Sequence, residues 1–425
     1  MNRYIKLMAC VLTVDVLMLL SCKVEGELGD NVFSPPVLTT FKATNITSSS
    51  ATLGGNIIFE GTHGYIERGL VFATEQNPTI DNNKTMVERS ETSYFSVDII
   101  DLSSNRTYYV RAYAINKAGP FYGEQIVFTT KNGVWTQKAD FPGGARIGAV
   151  GFSIGGKGYI GAGGGFGVDY KDFWEYDPVL NIWTQKEDFA GRNARHGFSI
   201  GDKGYIGFGE DGQDFWEYDP GLNNWSQKTD FPGGPRSAAV CFSIGNKGYI
   251  GTGETYDETG YRILNDFWEY DPVSNIWTKK TDFAGIARRM AVGFSIGNKG
   301  YIGTGNYLNN TSYRVLSDFW EYDPISNAWT GKKDIVGDAR YIAVGFSIGN
   351  KGYIGTGLSD RGFLFQDFLE YNPVSNIWTQ NAEITGKGRH YAVGFSIGNK
   401  GYMGTGWFVD ANDNRLFNDF WEFEP

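Results

Sequence analysis

Six arginines recur at one place in this sequence: Arg146, Arg192, Arg236, Arg288, Arg340 and Arg389 each stand six residues ahead of a phenylalanine. A guanidinium offers a planar fork of donors that matches a carboxylate or phosphate bidentately, so a convergent ring of them would attract an anion. Each arginine also has an aspartate in its own repeat, at Asp172, Asp214, Asp266, Asp318, Asp367 and Asp419, which makes internal pairing the competing explanation. The residue after each arginine is not repeated: Ile147, Asn193, Ser237, Arg289, Tyr341 and His390. Asn193, Arg289, Tyr341 and His390 are therefore the sharper ligand candidates, with the six arginines and Trp407 beside them. Proton transfer would fall to His390, Glu210 or Glu254, the imidazole and carboxyl groups placed near the same variable positions. No local motif assigns these three their roles.

The elements that must position these residues repeat as well, and a period of this kind governs the fold. AVGFSIG or a variant begins at Ala149, Arg195, Ala239, Ala291, Ala343 and Ala392, and KGYIG or KGYMG follows. DFWEYDP or a variant begins at each of the six aspartates, with DFLEYNP and DFWEFEP the last two forms. A further strand starts at Trp135, Trp183, Trp225, Trp277, Trp329 and Trp378, at intervals of 48, 42, 52, 52 and 49 residues. Four strands per period, each ending in Gly or a polar turn, predict six small antiparallel sheets. These residues resemble the Kelch repeat, which implies a six-bladed β-propeller over 131–425. Gly-Thr-Gly, as in Gly251-Thr252-Gly253, stands where that family mostly has Gly-Gly. The first Trp strand precedes the first inner strand and the chain stops after the sixth DFWEF strand, so the strand at Trp135 is expected to complete the last blade and close the ring.

Comparison among the six repeats separates scaffold from specificity. The turn between strands one and two (GGKG, GDKG, GNKG) and the YDPVSNIW link are nearly constant. The links between strands two and three, from Gly161–Lys171 to Gly404–Asn418, run from 7 to 15 residues and differ in sequence. Strand alternation puts them on one face with the arginines. They carry Phe166, Tyr170, Tyr256, Tyr261, Tyr307, Tyr313, Phe363, Phe365, Trp407 and Phe408, rings able to stack on a sugar or grip a peptide, or to cover blade edges.

Ahead of the repeats, residues 34–130 hold short β-rich runs, ATLGGNIIF, RGLVFAT, TYYVRAYAI and EQIVFTT. The segment from Asp101 to Ala114, with Tyr108 as a tyrosine-corner candidate, resembles a fibronectin type III domain, and that implies a β-sandwich serving as a spacer. At the start, Arg3 and Lys6 precede an apolar stretch from Leu7 to Leu20 that ends in Leu19-Leu20-Ser21-Cys22. This resembles a bacterial lipoprotein signal over 1–22, which implies acylation of Cys22, a polar tether at 23–33 and anchoring in the cell envelope, at the outer membrane.

The expected architecture is thus all-β: a fibronectin type III-like sandwich followed by a Kelch-like propeller. A net charge of −10 with no basic run opposes nucleic acid as a partner. Only Cys10, Cys22 and Cys241 are present, so packing rather than disulfides must hold the mature chain. The expected function is binding of a glycan or protein by the variable face. The alternative is a sugar enzyme, because the Kelch-like propellers include bacterial sialic acid mutarotase (N-acetylneuraminate epimerase). Under that resemblance Arg289 or a ring arginine would hold the substrate carboxylate. A copper site of the galactose-oxidase kind would need more ligands than His196, His390 and Cys241 provide, and the oxygen-rich run Asp410-Ala411-Asn412-Asp413-Asn414 reads as an acidic turn. No cofactor or metal is expected.

Overall fold

The computed structural model describes residues 33–425 apart from Glu91, Phe166, Asn193, Ala194, Glu210, Asp211, Glu258, Thr259 and 309–311. The leader with Cys22, most of the tether, and the site candidates Asn193 and Glu210 lie outside the described residues. Within them the chain is all-β, with no helix and many small antiparallel sheets, an arrangement consistent with a β-propeller.

Six of the sheets have four strands, and we number them units 1 to 6. Unit 1 consists of Val150–Ile154, Lys157–Gly161, Phe173–Asp177 and Ile182–Lys186, innermost first. The innermost strand alternates: Val150, Phe152 and Ile154 are buried and the residues between them are half-buried. That period of two is what a pleated strand facing a core on one side requires. Innermost strands of consecutive units touch, and unit 1 also touches unit 6, which closes the set. Unit 6 takes its outermost strand from Val134–Gln137, paired antiparallel with Phe420–Glu424 in the register Phe423↔Trp135. Neither terminal strand is left with an open edge against the other, which removes a site for aberrant pairing.

Units are joined by aromatic rings and by close backbone approach. Phe173 meets Tyr218 edge to face at 4.8 Å, and Phe215–Tyr270, Phe267–Tyr322, Phe319–Tyr371 and Phe420–Tyr176 repeat the contact at 4.8–4.9 Å. Such pairs add about 0.5–1.5 kcal/mol each beyond the area they bury. Gly151 is glycine because a Cβ there would collide with Val393 of the preceding unit. Unit 3 has Cys241 at that position, and its preceding neighbour carries His196 where the other units have Val. The imidazole turns away to the Ala239 amide (2.9 Å), and the thiol donates to the Gly197 carbonyl (3.2 Å). The two departures from the repeat compensate one another.

Residues 34–130 form two sheets over a core of Leu38, Leu53, Leu70, Phe95, Val110 and Phe128. The buried Tyr108 hydroxyl accepts from the Ser103 amide, five residues upstream, at 2.9 Å. This part is held to the rest by main-chain bonds, Lys131 amide to Thr47 carbonyl (2.9 Å) and Asn105 amide to Lys131 carbonyl (3.1 Å). It also sits against unit 5, the unit whose outer strands depart from the repeat: Leu369 replaces Trp, Asn372 replaces Asp and Asn381 replaces Lys. Leu369 is buried, and Asn381 receives the Gly133 amide (3.2 Å) and donates to Glu370 (3.1 Å). Burial pushes the Glu370 carboxyl up, opposed by Lys351, the Tyr353 hydroxyl and Ser104. Burial likewise pushes the Lys351 ammonium down, opposed by Glu370 and Asp101.

Candidate functional site

The repeated arginines are consumed by the fold. Arg146, Arg236, Arg288, Arg340 and Arg389 are 0–1% exposed, and each grips the aspartate of its own unit with both terminal nitrogens. For Arg288 and Asp318 the distances are 2.7 and 2.6 Å. The same guanidinium donates to the carbonyl of a residue in the left-handed region, Thr304 for Arg288 at 2.9 Å and Ala162 for Arg146 at 3.0 Å, so the turn after the second strand aims that oxygen. Aromatic faces close the pocket: Tyr170 lies 4.1 Å from Arg146, Phe365 4.2 Å from Arg340 and Phe417 4.0 Å from Arg389. Burial raises the Asp266 and Asp318 carboxyls, and the arginines overcome this and hold them below the usual carboxylate range. As ligand residues these five arginines are therefore withdrawn, because both terminal nitrogens of each are held by its aspartate and the side chains are shielded from solvent. Tyr170 and Phe365 are used up with them. Arg192 differs: it is exposed and meets Asp214 through its main-chain amide (3.1 Å).

The cavity at the axial mouth is built one residue further along than the sequence pattern suggests. The second residue after each of the five buried arginines is in the left-handed region: Gly148 (φ 60°), Ala238 (53°), Met290 (57°), Ile342 (55°) and Tyr391 (56°). For a β-branched or bulky residue this conformation is strained and needs a reason. The reason is a collar of main-chain bonds between units: Met290 donates to the Ala238 carbonyl (2.9 Å), Ile342 to Met290 (3.0 Å) and Gly148 to Tyr391 (3.3 Å). These five residues, with Ile147, Ser237, Glu254, Arg195 and His196, line an axial cavity of about 400 Å³. Arg195, Met290, Ile342 and Tyr391 were missed as site residues. A signal was available for Arg195, which stands where the other five units have Ala.

The residue after five of the arginines pairs its main chain with the fourth residue of the variable link: Ile147 with Gly164, Ser237 with Glu254, Arg289 with Asn306, Tyr341 with Leu358 and His390 with Trp407. This register delivers Glu254 to the edge of the axial cavity. Its carboxylate accepts from Arg289 (2.5 Å), the Tyr261 hydroxyl (2.6 Å) and the Ser237 hydroxyl (3.4 Å). Burial and then that bond push the Tyr261 hydroxyl up to about 12. Arg289 lines a second cavity of about 310 Å³ beside the first. Tyr341 and His390 lie outside both. Burial, then a bond to Tyr313, raises the Tyr341 hydroxyl. His390 is buried beneath Trp407 and Tyr391, with ring centroids 5.0 and 5.2 Å away, and burial pushes its imidazole down to about 4. Its proposed part in proton transfer is withdrawn, since the ring is buried and lines neither cavity. Trp407 is half-buried, packed at a tilt against His390 and bonded to Asn414 (2.7 Å).

The remaining groups are structural. His196 has both ring nitrogens engaged, Nδ1 with the Phe208 carbonyl (3.0 Å) and Nε2 accepting from Ala239 (2.9 Å), which fixes a neutral tautomer. Burial lowers it to about 4 and raises the Cys241 thiol to about 12. The acidic turn closes on itself, Asp410 accepting from the Asn412 and Asp413 amides (2.7 and 2.8 Å). Among the described residues no three His, Cys, Asp or Glu side chains converge as metal ligands.

No family model matches this chain, and a search of curated proteins found no match. Among solved structures, one titled "Structure of YjhT" is similar over 50% of this chain and 73% of that one, at 19% identity and a TM-score of 0.46.

Proposed function

We propose that the chain is an envelope-anchored binding protein: a lipoprotein leader at 1–22 acylated at Cys22, a tether at 23–33, a fibronectin type III-like spacer at 34–130, and a six-bladed Kelch-like propeller at 131–425 that takes a glycan on its variable face. The Tyr108–Ser103 bond supports the spacer assignment, since a tyrosine hydroxyl tied back a few residues upstream marks that sandwich. The four-strand sheets and the pairing of Val134–Gln137 with Phe420–Glu424 support the propeller.

The observation that carries the binding function is the axial cavity. There side chains outside the repeat (Arg195, Ser237, Glu254, Met290, Ile342 and Tyr391) from several units meet at a concave surface of small-ligand size. An aromatic ring, a guanidinium and a carboxylate in one cavity match the hydroxyls and apolar ring faces of a sugar. A glycan and sialic-acid panel on the purified protein tests this. Saturable binding that Arg195→Ala and Tyr391→Ala each weaken about tenfold is expected, and binding unchanged in both would move the ligand elsewhere.

A second reading, a sugar mutarotase or epimerase, is favoured by one observation: Glu254, Arg289 and Tyr261 bring an acid, a cation and a phenol to the same cavity edge. Anomerisation followed by NMR separates the readings. Catalysis abolished by Glu254→Gln would establish the enzyme, and background rates with wild type would leave the binder.

A further inference from the structure

The axial cavity is not isolated. It shares Ser237 and Glu254 with the second cavity, which in turn shares Pro235, Thr255 and Tyr261 with a third of about 830 Å³. The third lies between the hairpin Glu254–Asp257/Gly260–Ile263 of unit 3 and the strand Asn306–Leu308 of unit 4, and it reaches Lys279 on the outermost strand of unit 3. Sharing residues in this order makes one radial groove from axis to rim. Four strands at their ordinary spacing put roughly 15 Å between its ends, longer than one sugar ring and suited to a short chain.

Most of the groove's charges are compensated where they stand. Glu254 is paired with Arg289, Asp266 with Arg236, Lys279 with Asp282 (3.3 Å) and, at the axial end, Arg195 with Asp169 (3.2 Å), while Arg262 also lines the third cavity. Paired in this way, they keep free lone pairs and N–H directions for hydroxyls but offer no net charge to an ion. Tyr261 and the 82% exposed Tyr256 add ring faces along the wall. We infer that the ligand is a linear, uncharged oligosaccharide whose terminal residue sits in the axial cavity and whose following residues lie along this groove. The inference rests on the glycan reading above.

The test is calorimetric titration of the full chain with ladders from one to six residues of β-1,4-glucose, β-1,4-N-acetylglucosamine, α-1,4-glucose and β-1,4-mannose, with a random peptide library as the comparison. Affinity should rise at least tenfold from monomer to tetramer in one ladder. Thr255→Trp, which fills the groove from its wall, should weaken the tetramer at least tenfold more than the monomer, and Tyr261→Phe should keep more of the chain-length gain than Tyr261→Ala. Affinity independent of chain length would overturn the groove while leaving a single-sugar site standing. Binding to none of the ladders, or to peptides instead, would overturn both.

Discussion

Units 3 and 5 both break the sixfold repeat, but in different places and for different reasons. Unit 5 changes its outer strands, at Leu369, Asn372 and Asn381, and there the N-terminal sandwich covers it. Unit 3 keeps its outer strands and departs at the mouth, where Ser237 and Glu254 meet Arg289 from unit 4. A departure that is buried by another part of the same chain has a structural cause. One that opens onto a cavity has no such cause and points to a ligand.

The largest expected effect falls on what both units share. Arg288→Ala leaves Asp318 half-buried with no guanidinium and should cost about 3–5 kcal/mol in urea unfolding. A loss under about 1 kcal/mol would mean that the clamps are not structural and would return the arginines to the ligand list. The next contrast sets one position in two units against itself. Glu370→Ala removes the carboxylate that accepts from Tyr353 (3.2 Å) and Asn381 (3.1 Å) and attracts the buried Lys351, and should cost about 3 kcal/mol, with faster proteolysis near 131–133. Glu321→Ala at the open equivalent in unit 4, where Lys332 pairs at 2.9 Å, should cost about 1 kcal/mol or less. Equal losses would break the comparison.

Unit 2 supplies a third kind of departure, readable by pH. His196 falls from 6.5 to about 4 on folding, so the folded state binds fewer protons than the unfolded one. Its contribution is full above pH 6.5 and is lost as the pH falls toward 4, up to about 3 kcal/mol. The double variant His196→Val/Cys241→Gly, which restores the repeat, should flatten the dependence of Tm on pH across that window, leaving the part due to His390. A slope unchanged by the double variant would assign the acid loss elsewhere. The smallest effect sharpens the contrast most: Met290→Ala should weaken glycan binding about tenfold, near 1.4 kcal/mol, while moving Tm little. Glu370→Ala should do the reverse.

Much of this molecule is local information repeated, and local information can be read from the chain. Alternation in AVGFSIG, Gly at the tight approach in five of six units and the strand missing after DFWEF dictated sheets, packing face and ring closure, because pleat and hydrogen-bond pairing follow directly from residue order. The pairing of the arginines with the aspartates was legible too, as the competing explanation. Three matters rested on tertiary structure alone. The side chains at the mouth belong to Met290, Ile342 and Tyr391 rather than to the residues before them, because a left-handed φ at one position exchanges which neighbour faces the axis. Unit 5 carries the sandwich, because only the folded linker decides which edge it reaches. And Glu254, Arg289 and Tyr261 form one cluster, because units 3 and 4 are brought side by side by the closed ring and by nothing in their spacing.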